Sequence, residues 1–178
     1  IGTRFHSWFK DNHKEIFNLN TSDEFYSFFK MNFSFYVKLY ISMWKNQTEY
    51  NKLIPHLYYV NYWGIAESLQ DPLLISSIDY GDTDDIINKK LDFVARYIET
   101  FTTIRAVNYK KFGQTSIKYT MFNLIKLIRD NNLETLGTNL SNEIENMEQG
   151  WENVINFGLH SQNKKFIKHL LCRISSYT

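Results

Sequence analysis

The sequence predicts an all-α fold, an irregular multi-helix bundle of roughly six to eight helices. Only 7 Gly and 2 Pro interrupt its 178 residues, so breakers are few. Apolar side chains recur with the 3.6-residue period of a helix, and no stretch alternates convincingly like a strand. The apolar fraction is 43% and the aromatic fraction 17%, which supplies large side chains for a sizeable core. A single domain spanning 1–178 is the expectation at this length.

"GTRFHSWFKDNHKEIF" is a short first helix with Phe5, Trp8, Phe9 and Ile16 on one side. The second opens at Thr21, where Glu24 stands at capping-box spacing. Phe25, Phe28, Phe29, Phe33, Tyr36, Leu39, Tyr40 and Met43 then stripe it to about Trp44. A third covers Glu49 to about Trp63, with Pro55 in its early turns or breaking it. In "DPLLISSI", Asp71 suits an N-cap and Pro72 the first helical position. "GDTDD" supplies a turn and the acidic first-turn residues of a helix from about Thr83 to Asn108.

After Phe112 and Gly113 comes a helix striped by Ile117, Met121, Leu124, Ile125 and Ile128. "NLETLGTNLSNEIENM" is weaker, Asn-rich enough to read as partly loop. The final helix carries Phe166, Ile167, Leu170, Leu171 and Ile174 as its apolar set.

Charge and cysteine content narrow the function classes. Net charge is +1, from 20 basic and 19 acidic residues, so DNA contact would be a local patch rather than a whole surface. Cys172 stands alone, which excludes an intrachain disulfide and accords with a reducing cytoplasm. No apolar run approaches the roughly 18 residues of a membrane span, so no membrane partner is expected. Ile1 stands where a full chain would begin with Met, and the sequence reads as a piece of a longer protein.

No phosphate loop, zinc-protease, paired-cysteine or serine-hydrolase motif is present. The histidines are His6, His13, His56, His160 and His169. His6 and His13 share a helix face beside Asp11 and Glu15, but surface histidines explain the pair without a metal. Cys172 and His169 are helical neighbours, and Cys172 reads as a small core residue rather than a nucleophile. Asp79, Asp82, Asp84 and Asp85 invite a cation, yet they lack EF-hand spacing and capping accounts for them. No catalytic residue, metal ligand or cofactor site is assigned within the chain.

Two basic features remain. Lys164, Lys165, Lys168 and Arg173, with His169 nearby, gather on the last helix and are the candidate nucleic-acid contacts. A plain solvated face is the simpler reading of the same residues. Tyr58, Tyr59, Tyr62 and Trp63 could stack bases, but no Lys or Arg is interleaved, and a packed core is preferred. Within "LDFVARYIETFTTIRAV", Arg96 falls among Asp92, Glu99 and Thr103 on the polar face and reads as solvated. Arg105 instead continues the stripe of Ile87, Leu91, Val94, Ile98 and Phe101, and is expected to be a structural anchor held by protein acceptors.

Several segments in order, "IGTRFHSWFKDN", "TSDEFYSFF", "DPLLISSIDYGDTDD", "LDFVARYIETFTTIRAV" and "KKFIKHLLCRISSY", resemble the helical middle region of GmrSD-type proteins. These are bacterial anti-phage restriction proteins acting on modified DNA. The resemblance covers nearly the whole chain. It implies an N-terminal ParB-like nucleotide-hydrolysing domain and a C-terminal HNH nuclease in the parent, joined by this region. It also implies a nucleoside triphosphate and a divalent metal for the parent, and flanking domains, DNA and a second copy as partners. The family's Asp-Gly-Gln-Gln-Arg motif and the Glu-His pair of its nuclease do not occur here, so no catalytic role transfers to any position. The expected function is a non-catalytic connecting domain. Its rivals are a helical interaction module of an unrelated protein and a direct DNA-binding domain.

Overall fold

The structure is a computed structural model that describes residues 4–111, 113–158 and 163–176. His160, Phe112 and the terminal residues Ile1 and Thr178 lie outside the described residues. The fold is all-α: 74% of it is helical, with no strand among the described residues. No helix there is long and apolar enough to cross a membrane. Where the sequence suggests one domain, the contacts divide the chain into two compact units, Ile1–Ser42 and Met43–Thr178.

The first unit builds its own aromatic cluster. Helix α1 (Phe5–Phe17) ends at Asn18, whose φ of 53° is left-handed. Helix α2 (Ser22–Ser27) starts with the expected capping box. The Glu24 amide donates to Thr21 Oγ1 at 3.3 Å, and the Thr21 amide donates to Glu24 Oε2 at 2.8 Å. Backbone donors from Asn20 and Thr21 hold the Glu24 carboxyl below its usual pKa. A π-helical turn (Phe28–Phe33) follows, then α3 (Ser34–Thr48), without a break in the helix. Phe9 sits among the rings of Phe17, Phe28 and Phe29 at 5.5, 6.1 and 5.8 Å. The expected stripes are only partly covered: Phe5, Ile16, Phe29, Phe33 and Tyr40 are all exposed.

In the second unit, Pro55 breaks the expected third helix and opens α4 (Pro55–Val60) instead. Helix α5 (Glu67–Ile75) starts earlier than its sequence suggests, so Pro72 lies inside it and Asp71 is no cap. Asp71 is buried and accepts from Gln47 Nε2 at 3.1 Å. Helix α6 (Asp84–Val107) matches the sequence reading, with Thr83 as N-cap and Asp84 and Asp85 in the first turn. Helix α7 (Gln114–Ile128) buries all five predicted stripe residues. The Asn-rich stretch is helix α8 (Leu133–Glu145) rather than loop, because Asn132 caps it by accepting from the Thr135 amide at 2.9 Å. A Cβ on Gly137 would lie 3.2 Å from the Phe93 ring, so glycine lets α8 approach α6 closely. A 3₁₀ turn (Glu152–Asn156) precedes α9 (Lys164–Ser175).

The long α6 is the hub, packed by α4, α5 and α8, while α7 packs on α5 and α8. Its apolar stripe of Leu91, Val94, Ile98 and Phe101 is buried as expected. The polar face is where the fold departs from the sequence reading. Asp92 and Thr103 are buried, and the Glu99 side chain is only 14% exposed. That face carries a second, polar core.

Candidate functional site

Arg173 defines the site. The sequence groups it with the solvent-facing cations of α9, but it is 6% exposed and turned inward. It stands seven residues after Phe166 and four after His169, so the three share the inner side of the helix. Its Nε donates to Glu99 Oε1, and a second guanidinium nitrogen donates to Glu99 Oε2 at 3.0 Å. The third donates to Ser176 Oγ at 2.9 Å, and the guanidinium lies 3.7 Å over the Tyr59 ring. A planar fork that pairs with a carboxylate and stacks on a ring is a task for Arg rather than Lys.

The carboxylates come from α6. Asp92, Arg96, Glu99 and Thr103 follow at helical intervals, forming a polar seam under α4 and α9. His56 of α4 lies with Nδ1 2.8 Å from Asp92 Oδ1 and Nε2 4.0 Å from Glu99 Oε2. Arg96 donates from Nε to Asp92 Oδ2 at 2.8 Å, with its own side chain 58% exposed. Arg96 is therefore tethered to the seam rather than freely solvated. Burial alone would raise the Asp92 pKa. The His56 hydrogen bond and charge, together with Arg96, outweigh that and hold the carboxyl below its usual range. Ionised Asp92 can only accept, so His56 Nδ1 carries the proton. Thr102 and Thr103 donate to the carbonyls of Ile98 and Glu99 at 2.6 and 2.7 Å, which lets their hydroxyls lie in the interior.

Beside this seam opens a cavity of about 420 Å³. Tyr58, Tyr59 and Tyr62 form one wall, and Lys165, Lys168 and His169 of α9 the other. The Tyr62 hydroxyl donates to Tyr58 Oη at 3.0 Å. His169 meets Trp63 edge-on with centroids 4.3 Å apart, and lies 25° from parallel to Tyr62 at 6.1 Å. His169 Nε2 is buried without a hydrogen-bond partner among the described residues. Burial pushes its pKa down, Arg173 and Lys165 push the same way, and Glu99 opposes them. The ring is thus neutral near pH 7.

Lys164, Lys165 and Lys168 are exposed, as the sequence suggests. Cys172 is free and exposed on the same helix rather than a core residue. Leu171 and Ile174, members of the apolar set of that helix, are also exposed, because Arg173 and Phe166 take the inner side. The cations missing beside the tyrosines in sequence arrive from α9, some hundred residues later. No local pattern could have announced them. The polar seam did have a signal: a carboxylate, arginine, carboxylate and threonine aligned on a helix whose other sides are apolar.

Arg105 serves a different place. Its Nε donates to the Lys111 carbonyl at 3.0 Å, and its guanidinium lies 5.5 Å from the Phe101 ring centre. Burial lowers its pKa. The Lys110 amide donates to the Arg105 carbonyl at 2.8 Å, so one residue holds the turn after α6 from both ends.

The acidic run divides between roles. Asp84 and Asp85 occupy the first turn of α6, whereas Asp82 accepts from Lys90 Nζ at 2.8 Å. Lys90 is 1% exposed and also donates to the Ser77 carbonyl at 2.7 Å. Among the described residues, no group of three His, Cys, Asp or Glu side chains is arranged to hold a metal ion.

Compared with known proteins, the chain matches no family model, no curated protein and no solved structure.

Proposed function

We propose that the chain is the non-catalytic helical connecting domain of a bacterial modification-dependent restriction endonuclease. It would couple an N-terminal nucleotide-hydrolysing domain to a C-terminal HNH nuclease in anti-phage defence, within the cytoplasm. The nucleoside triphosphate and divalent metal of that reading belong to the flanking catalytic domains. DNA and a second copy are its further partners.

The observation that supports a coupling role best is the way α9 is tied down. Arg173 joins α9 to the middle of α6 through Glu99, and His56 joins α4 to the same helix through Asp92. Displacing α9 must either break a buried ion pair or carry α6 with it. Such discrete alternatives transmit a displacement better than a continuously deformable contact does. Exposed aromatic residues in the first unit, among them Tyr26, Phe29 and Phe33, suit a chain that packs against neighbouring domains.

The test begins with the complete reading frame. An Asp-Gly-Gln-Gln-Arg motif should lie upstream and a Glu-His nuclease motif downstream, and absence of both would overturn the connecting role. In such a parent, Glu99→Gln should abolish nucleotide-dependent DNA cleavage while leaving nucleotide hydrolysis near the wild-type rate. Equal loss of both activities would point to a folding defect instead of a coupling role.

A further inference from the structure

The cavity between the tyrosines and α9 combines two properties that recognise one chemical class. Its walls are planar rings: Tyr62 is 49% exposed, and the neutral His169 ring lies near-parallel beside it. Its rim is cationic. Lys165 and Lys168 lie one turn apart, and neither has an ion-pair partner among the described residues. Arg173 also borders the cavity, but Glu99 and Ser176 occupy its guanidinium, which leaves anion recognition to the lysines. A volume of about 420 Å³ falls within the roughly 300–1,000 Å³ of small-molecule sites.

We propose that this cavity binds a nucleotide unit, with the base stacked on the Tyr62 and His169 rings and its phosphate held by Lys165 and Lys168. A lone anion would use the lysines and leave the rings idle. An uncharged ring would do the reverse. A planar base joined to a phosphate uses both, as single-strand sites do when aromatic platforms stand beside a basic track. A base paired within a duplex presents no free face to the rings, so the ligand is an unpaired nucleotide, either free or within a single strand. This proposal goes beyond the connecting role and does not depend on it.

The experiment uses the whole chain and three probes: a short fluorescein-labelled single strand of mixed sequence, the same sequence as a duplex, and 2′-deoxyadenosine 5′-monophosphate. Anisotropy follows the two DNAs, and calorimetry follows the mononucleotide. The single strand should bind more tightly than the duplex. Tyr62→Ala should weaken it by about 5- to 150-fold, the loss of one base–ring stack. Tyr62→Phe should bind like wild type, since the ring rather than the hydroxyl is needed. Lys165→Ala with Lys168→Ala should flatten the salt slope by about 0.7, the share of the one phosphate that the two lysines hold. Circular dichroism melting checks that each variant is folded. Mononucleotide binding with the same dependence on Tyr62, without strand binding, would identify the ligand as a free nucleotide. Binding of neither probe, binding indifferent to Tyr62→Ala in folded protein, or a duplex bound as tightly as the strand would overturn the proposal.

Discussion

Arg173 and Glu99 stand 74 residues apart in sequence and form a two-bond ion pair in the interior, with Tyr59 stacked on the guanidinium. Together with buried Phe166, the pair lies on the inward side of α9. That orientation sets Lys165 and Lys168 beside the tyrosines and leaves Leu171 and Ile174 in solvent. The side that carries this arginine thus also sets the composition of a cavity wall.

A second buried cation holds the start of α6. Lys90→Ala would leave Asp82 and the Ser77 carbonyl without their shared donor, and should cost about 3–5 kcal/mol. Asp82→Asn should cost less, because the Ser77 carbonyl still receives the ammonium. Urea unfolding at neutral pH measures both. A change below about 1 kcal/mol for Lys90→Ala would show that the pair does not hold the α5–α6 turn.

The seam predicts a particular acid response. The folded pKa of Asp92 is depressed, so its stabilisation is present above the unfolded carboxylate value of about 3.9. It is lost as pH falls through the folded value. Asp92→Asn should therefore be less stable than wild type at neutral pH, with the gap closing in strong acid. A gap that stays constant across an acid titration of melting temperature would contradict the ionised seam.

His169 acts in a higher pH window and through the opposite charge. Its folded pKa is lowered by burial and by its cationic neighbours, so the unfolded chain binds more protons just below about 6.5. Stability should rise with pH through that window. The rise should shrink in His169→Gln, as read from melting temperatures at mildly acidic and neutral pH. Parallel curves for the two proteins would exclude His169 as its source.

How much of this was legible in the sequence depends on the range of each interaction. Features set by neighbours within a single helix or its cap were readable: the Thr21 cap, the start of α6 at Thr83 and the α7 stripe. Features set by distant partners were not. Asp92 and Glu99 looked solvated because the groups that cover them, His56 and Arg173, lie on other helices. Pro72 suggested a helix start, but tertiary packing carries α5 through it, with Asp71 buried against Gln47. The cavity was illegible for the same reason, since its two walls come from opposite ends of the second unit.

The first unit offers a local check. Thr21→Ala removes the side-chain acceptor for the Glu24 amide and should destabilise the helix start by about 1 kcal/mol. Hydrogen exchange at the amides of Asp23 and Glu24 should quicken, while the amides of α6 stay protected. Equal acceleration throughout α6 would mean that the effect is global rather than a lost cap.

The central claim is that α9 is held by its inward arginine and not merely laid on the surface by apolar contact. A double-mutant cycle of Arg173→Met and Glu99→Gln, followed by urea unfolding, tests it most directly. Each single variant should lose about 3–5 kcal/mol by stranding its partner. The double variant should lose much less than their sum, a coupling of roughly 2 kcal/mol or more. Additive losses, or single losses no larger than those of Lys164→Ala, would show that the pair does not hold α9.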